Sequence, residues 1–128
     1  MPTPTDRCYT KEHEWVREAD GVGTVGLTDY AQDQLGDIVY LDLPAPGTSV
    51  NQFDKLGEIE SIKAVSDLYA PVSGEVVEVN VELGARPETV NEDCYGDGWI
   101  LVVDTRGEEP SDLLDAAAYL KHVEERSE

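Results

Sequence analysis

The chain has 128 residues, 40% of them apolar, and its 28 Asp and Glu against 9 Lys and Arg leave a formal charge of −19. That length suits a single domain over residues 1–128, and acid spread along the chain works against a phosphate backbone, which excludes nucleic acid as a partner. No apolar run reaches the ~18 residues of a membrane span, and residues 1–5 carry no basic-then-apolar signal, so a cytoplasmic protein without a membrane partner is expected.

The first strand signal is Val22 to Leu27, where Thr24 and Gly26 alternate with Val25 and Leu27. Thr28 then has the chemistry of an N-cap, Asp29 suits the positive first turn, and Gly36 is a stop, so Asp29 to Leu35 reads as a short helix. From Ile38 strand character resumes, with Val39, Leu41 and Leu43 on one face, until Pro44, Pro46 and Gly47 turn the chain. Two phrases echo each other, Gly57-Glu58-Ile59-Glu60 and Gly74-Glu75-Val76-Val77, and two strands flanking a central connection from Ser61 to Ser73 would explain them. The second phrase runs on as Val77, Val79, Val81 and Leu83 alternating with Glu78, Asn80 and Glu82, the pattern of a half-buried strand. Gly84 to Gly98 has no sustained period and reads as a long loop. Trp99 to Val103 reads as a buried strand, and Pro110 and Ser111 introduce a helix with Leu113, Ala117 and Leu120 on its apolar face. Glu124 to Ser127 are expected to fray. The sum is a mainly β domain of two packed sheets with one late helix.

Enzyme signatures are missing: there is no GxSxG elbow, GxxxxGK[ST] loop, HExxH or GxGxxG between a strand and a helix. Glu58 and Glu60 share a strand face and could mimic a general acid and base, but alternating glutamates in so acidic a chain read as a solvated face. Cys8 and Cys94 have no CxxC spacing, which points to a reducing compartment, and His13 and His122 are too far apart for a zinc spacing. Trp15 and Trp99 read as packing aromatics. Surplus acid with only four lysines, Lys11, Lys55, Lys63 and Lys121, is the composition of a salt-adapted, halophilic protein. About 1 M salt shortens the screening length to about 3 Å and relieves self-repulsion.

Lys63 is the only basic residue between Lys55 and Arg86, and it lies where a hairpin tip is expected. An exposed lysine amine can accept an acyl group, and its four-carbon stem adds reach. Composition and spacing by themselves leave it an ordinary surface lysine.

The segment ESIKAVSDLYAPVSGEVVEVN at residues 60–80 closely resembles the lipoylation segment of the glycine cleavage system H proteins. HEWV at 13–16, GLTDYAQDQLGDIVYLDLP at 26–44, and VN at 90–91 followed by YGDGW at 95–99 are similar to further signatures of that family, in its order and spacing. The likeness covers about residues 9–123. It implies a barrel-sandwich hybrid of the biotinyl and lipoyl type, and a carrier with no catalysis of its own, bearing lipoic acid as an amide on Lys63. It implies three partners: a pyridoxal-phosphate glycine decarboxylase (P protein), a tetrahydrofolate-dependent aminomethyltransferase (T protein) and dihydrolipoamide dehydrogenase (L protein). The arm would take the aminomethyl group from the first to the second and electrons to the third. A lipoylating enzyme is a fourth partner.

Glu60, Ser61 and Asp67 flank the lysine and are expected to help enzymes recognise it. By resemblance a cleft that shelters the loaded arm draws on His13, Glu14, Asp29 and Tyr30 near Asp67; many relatives have histidine in place of Tyr30. Cys94 stands where proline is common, and reads as a small buried side chain. No metal is implied. Biotinyl domains usually have methionine on both sides of the lysine, unlike Ile62 and Ala64 here. A lipoyl domain or relay serving 2-oxoacid dehydrogenases is the alternative. Those domains are generally shorter and lack the HEWV, YGDGW and terminal-helix segments.

Overall fold

The computed structural model describes residues 3–107 and 111–126. Its strands are β1 (Cys8–Tyr9), β2 (Glu14–Ala19), β3 (Val22–Leu27), β4 (Ile38–Asp42), β5 (Ser49–Val50), β6 (Lys55–Ser61), β7 (Val65–Tyr69), β8 (Gly74–Val79) and β9 (Leu101–Asp104). Its helices are α1 (Asp29–Leu35), α2 (Glu82–Ala85), α3 (Thr89–Glu92) and α4 (Ala116–Arg126). One antiparallel sheet runs β1-β2-β3-β9-β8-β5 and the other β4-β6-β7. Both feed one apolar core, in which Val25 and Leu101 of the larger sheet join Ile59 and Leu68 of the smaller. Each such fully buried side chain contributes about 1.5–3 kcal/mol. The fold is mainly β with two packed sheets, as the residue pattern predicts, and is the barrel-sandwich hybrid that the family resemblance implies.

The local signals that were strongest are met. In α1, Thr28 Oγ1 accepts the Ala31 amide at 3.2 Å, and the Gly36 amide closes the helix on the Gln32 carbonyl at 3.0 Å. Strand β2 has no alternation to read: Glu14, Trp15 and Val16 are all buried and the next three residues exposed. Asp20 and Gly21, both at positive φ, turn β2 into β3, the Asp-Gly geometry suited to strand twist.

Several expectations are corrected. Val39, Leu41 and Leu43 do not share a buried face, because a register shift between Ile38 and Tyr40 buries Ile38 and exposes Val39 and Tyr40. The echoed phrases lie within β6 and at the start of β8, which belong to different sheets, and the connection between them contains β7. What they share is a glycine pressed on a neighbouring backbone: a Cβ on Gly57 would collide with the Asp42 carbonyl, one on Gly74 with that of Asp104. The alternation through Leu83 breaks because Val77 is an extra residue in the β8–β9 ladder; Val77 and Val81 face solvent while Val76 and Asn80 are buried.

Residues 84–98 are not a plain loop, since they hold the end of α2 and all of α3. The late strand starts at Leu101, after Ile100, whose amide bonds the Val25 carbonyl at 2.8 Å. The last helix begins at Ala116, where Asp115 Oδ1 accepts the Ala118 amide at 2.8 Å. Its inner side is Ala116 and Tyr119 with Val123; Ala117 and Leu120 are exposed and Leu113 precedes it. Glu124 and Glu125, expected to fray, belong to this helix, while Pro110 and Ser127 lie outside the described residues. A second apolar cluster joins α4 to the larger sheet, with Tyr9 and Tyr119 stacked at 4.8 Å beside Trp15.

Candidate functional site

Lys63 lies in the turn between β6 and β7. Ser61 builds that turn from both its backbone and its side chain. Its amide bonds the Ala64 carbonyl at 2.8 Å, while Oγ accepts the amides of Ala64 at 3.1 Å and Lys63 at 3.3 Å. The hydroxyl oxygen thus replaces the carbonyl that a plain turn would use. On the other side, the Ile62 amide reaches the Asp37 carbonyl at 3.0 Å, which ties the tip to the α1–β4 connection. The Lys63 stem runs past Gly36, where a built Cβ would stand 3.7 Å from Lys63 Cε. Behind the tip, Tyr40, Glu60 and Val65 stand side by side across β4, β6 and β7, all exposed. With Ile62, 69% exposed, next to the lysine in sequence, they leave exposed apolar side chains on either side of the Glu60 carboxylate.

Asp67 points elsewhere. Its carboxylate pairs with Lys55 at 3.2 Å and accepts the Tyr69 hydroxyl at 3.3 Å, so it belongs to the side of the hairpin and not to the tip. From there the structure leads to Glu14, whose Oε2 accepts the Tyr69 amide at 3.3 Å. Glu14 is 1% exposed, and the Thr10 hydroxyl donates to its Oε1 at 2.5 Å. Burial raises this carboxyl from 4.5 to about 7, against the opposing pull of the Thr10 and Tyr69 hydrogen bonds. Thr10 and Tyr69 also line an open depression of about 470 Å³, together with Lys11, Glu12, Phe53 and Asp112. Glu14 itself lies behind the wall of this depression, which its partners Thr10 and Tyr69 line.

His13, at φ 74°, forms a third group. Its ring lies 4.7 Å from that of Tyr30, and Nδ1 is 2.8 Å from the Tyr119 hydroxyl, which also sits 2.7 Å from Thr28 Oγ1. His122 packs 5.7 Å from His13, and its Nε2 must carry a proton, because its partner at 3.0 Å is the Lys11 carbonyl. Asp29 faces neither depression nor lysine contacts: its Oδ1 accepts Gln32 Nε2 at 2.9 Å and its amide donates to the Tyr95 hydroxyl at 3.0 Å. The site residues named from sequence therefore fall into a tip (Lys63, Glu60, Ser61), two carboxylates that bond opposite ends of Tyr69, Asp67 its hydroxyl and Glu14 its backbone amide, and an aromatic cluster (His13, Tyr30), with Asp29 at the start of α1.

Thr10, Tyr69 and Tyr119 escaped the sequence reading, since they act through partners far along the chain and carry no local pattern. Cys94 is fully buried, and burial pushes its thiol up to about 12, the inert role expected of it. Among the described residues no group of three or more His, Cys, Asp or Glu is arranged to hold a metal, and no helix is long and apolar enough to cross a membrane.

Comparison with known proteins gives one answer. The family model described as glycine cleavage H-protein matches residues 7–126. The glycine cleavage system H protein of Marinobacter nauticus is 52% identical over 122 residues, covering 94% of each chain. That of Rubrobacter xylanophilus is 53% identical over 122 residues, covering 95% of each. The crystal structure of the glycine cleavage system H protein from Mycobacterium marinum superposes with a TM-score of 0.86 at 39% identity, over 98% of this chain and 99% of that one. The chain belongs to the glycine cleavage H-protein family, the carriers of the glycine cleavage system that bear lipoate on a lysine.

Proposed function

We propose that Lys63 is the lysine that takes lipoate in amide linkage, and that the chain is a carrier with no catalytic activity of its own. The observation that carries this reading is Lys63 at the exposed tip of the β6–β7 turn, with Ser61 and Asp37 holding the backbone on either side. The surroundings fit the group: the stem runs past Gly36, and the tip is open to solvent. Lipoate supplies a disulfide that accepts a transferred group and electrons together. Amide formation removes one positive charge and takes the formal sum from −19 to −20.

The chain's own residues then divide the work. Glu60 and the Ser61 turn present the lysine to an incoming enzyme, and Asp67, locked to Lys55, marks the side of the hairpin. The depression at Thr10 and Tyr69 would receive the end of a folded-back arm, with Glu14 behind its wall. His13, packed on Tyr30 and bonded through the Tyr119 hydroxyl to Thr28, braces the start of β2, where Glu14 lies. Asp29 has a local role at α1. A single carrier domain is supported by one core drawn from both sheets. The partners in this reading are glycine decarboxylase, the aminomethyltransferase, dihydrolipoamide dehydrogenase and a lipoylating enzyme. One tethered arm keeps its reactive end at high effective concentration at each of them. A cytoplasmic setting accords with two cysteines present as free thiols.

Intact mass and tryptic mapping of protein from its native cells test this. The expected result is one lipoyl group on Lys63, lost in Lys63→Arg. Lipoyl on another lysine, or none in cells that lipoylate other proteins, would overturn it.

A further inference from the structure

We propose that Asn91 is a positioning residue for the Lys63 turn, a role that rests on Lys63 being the modified lysine. The bond from the Ile62 amide to the Asp37 carbonyl, 3.0 Å long, joins two exposed residues. Water competes for both ends, so such a bond persists only if its acceptor is held in place. Asp37 cannot be held by Gly36, whose φ of 78° and ψ of −157° lie where only glycine goes and whose own side chain is absent. Asn91 does the holding.

Its carboxamide spans Asp37. Nδ2 donates to the Gly36 carbonyl at 2.8 Å and Oδ1 accepts the Ile38 amide at 2.9 Å, the peptide groups on either side of Asp37. The second Nδ2 proton goes to Gln32 Oε1 at 3.0 Å, and Gln32 Nε2 is fixed in turn on Asp29 at 2.9 Å. Both amide protons and the oxygen are thereby committed, which leaves one orientation for the group. Ile38 then pairs with Ser61 on β6. Asn91 therefore reaches the lysine turn by two routes, the Asp37 carbonyl to Ile62 and the Ile38 register to Ser61, without touching Lys63. A turn that already has its bound shape binds an enzyme without first being ordered.

The test uses the full chain carrying Asn91→Ala, Asn91→Asp, which keeps an acceptor for Ile38 and loses both donations, and Val103→Ala as a core variant. Amide exchange is read residue by residue, and lipoylation is followed with a purified lipoate ligase, lipoate and ATP; the acyl adenylate gives up AMP as the amide forms on Nζ. With Asn91→Ala the Ile62 amide is expected to lose about tenfold protection beyond any change at Val25 and Leu101, and the KM for the protein to rise about tenfold at little change in kcat. Asn91→Asp should follow in the same direction, and Val103→Ala should change neither Ile62 protection nor the KM selectively. Unchanged Ile62 protection, a loss shared evenly with the core, or an unchanged KM would each overturn the role. If the wild-type chain takes no lipoyl group on Lys63, the reading of the lysine fails instead, and the exchange data still decide whether Asn91 orders the turn.

Discussion

Replacing Glu14 by Gln should change how stability depends on pH more than how large it is. In the folded chain the Glu14 carboxyl titrates near 7 because it is buried, whereas an unfolded glutamate titrates near 4.5. Below about pH 4.5 the group is protonated in both states and exacts no penalty. Between about pH 4.5 and 7 the unfolded chain has ionised while the folded group stays protonated, so wild-type stability falls across that window; above 7 the folded group ionises as well and the loss stops growing. Two to three pH units at about 1.4 kcal/mol each amount to about 3 kcal/mol. Gln keeps the shape and has no proton to lose: its oxygen can accept the Tyr69 amide, and the Thr10 hydroxyl can rotate to accept from its nitrogen. The stability gap, Glu14→Gln minus wild type, should therefore widen in favour of the variant by about 3 kcal/mol between pH 4.5 and 8, then level off. Urea unfolding at fixed salt measures it, and the subtraction cancels the other carboxylates common to both chains. A gap constant to within about 0.5 kcal/mol over that range would refute a buried carboxyl that is neutral at mild pH.

Tyr119→Phe should cost about 1–3 kcal/mol, because it strips the hydroxyl from between His13 and Thr28 in a side chain only 2% exposed; an unchanged urea midpoint would remove that network from the stability of α4. Gly36→Ala should cost about 1–3 kcal/mol through backbone strain alone, since the new Cβ would meet Lys63 at an ordinary contact distance. The same loss is expected in a Lys63→Ala background, and a loss that vanishes there would place the effect in the lysine stem. The urea midpoint should rise from 0.1 M to 2 M KCl as the charge of −19 is screened; a flat or falling midpoint would count against salt adaptation.

What could be read in the sequence was what is decided within a few residues. Thr28 and Gly36 bound α1 by bonds to residues three or four away, and Lys63 falls at a turn that Ser61 closes locally. Bulges were illegible, because nothing in the residues around Val39 or Val77 announces that the neighbouring strand is one residue shorter. The start of α4 was misjudged for another reason. The stretch from Leu113 to Leu120 has apolar side chains to spare, and tertiary contacts decide among them: Leu114 pairs with Tyr9 as strand backbone, leaving Asp115 to cap the helix. Around the site, the tip was legible as a position and the surroundings of Glu14 were not. Its two hydrogen-bond donors come from Thr10 and from Tyr69, the latter supplied by the other sheet.

The outer strands of the six-stranded sheet, β1 and β5, are two residues each. The outward edge of β1 is already occupied by Leu114, which exchanges both backbone bonds with Tyr9 at 2.7 Å. A foreign strand arriving at either border of that sheet finds too short a template to extend it. The borders of the larger sheet are thus closed to the adhesive, zipper-like pairing that open sheets invite, and strand-by-strand growth from that side is discouraged.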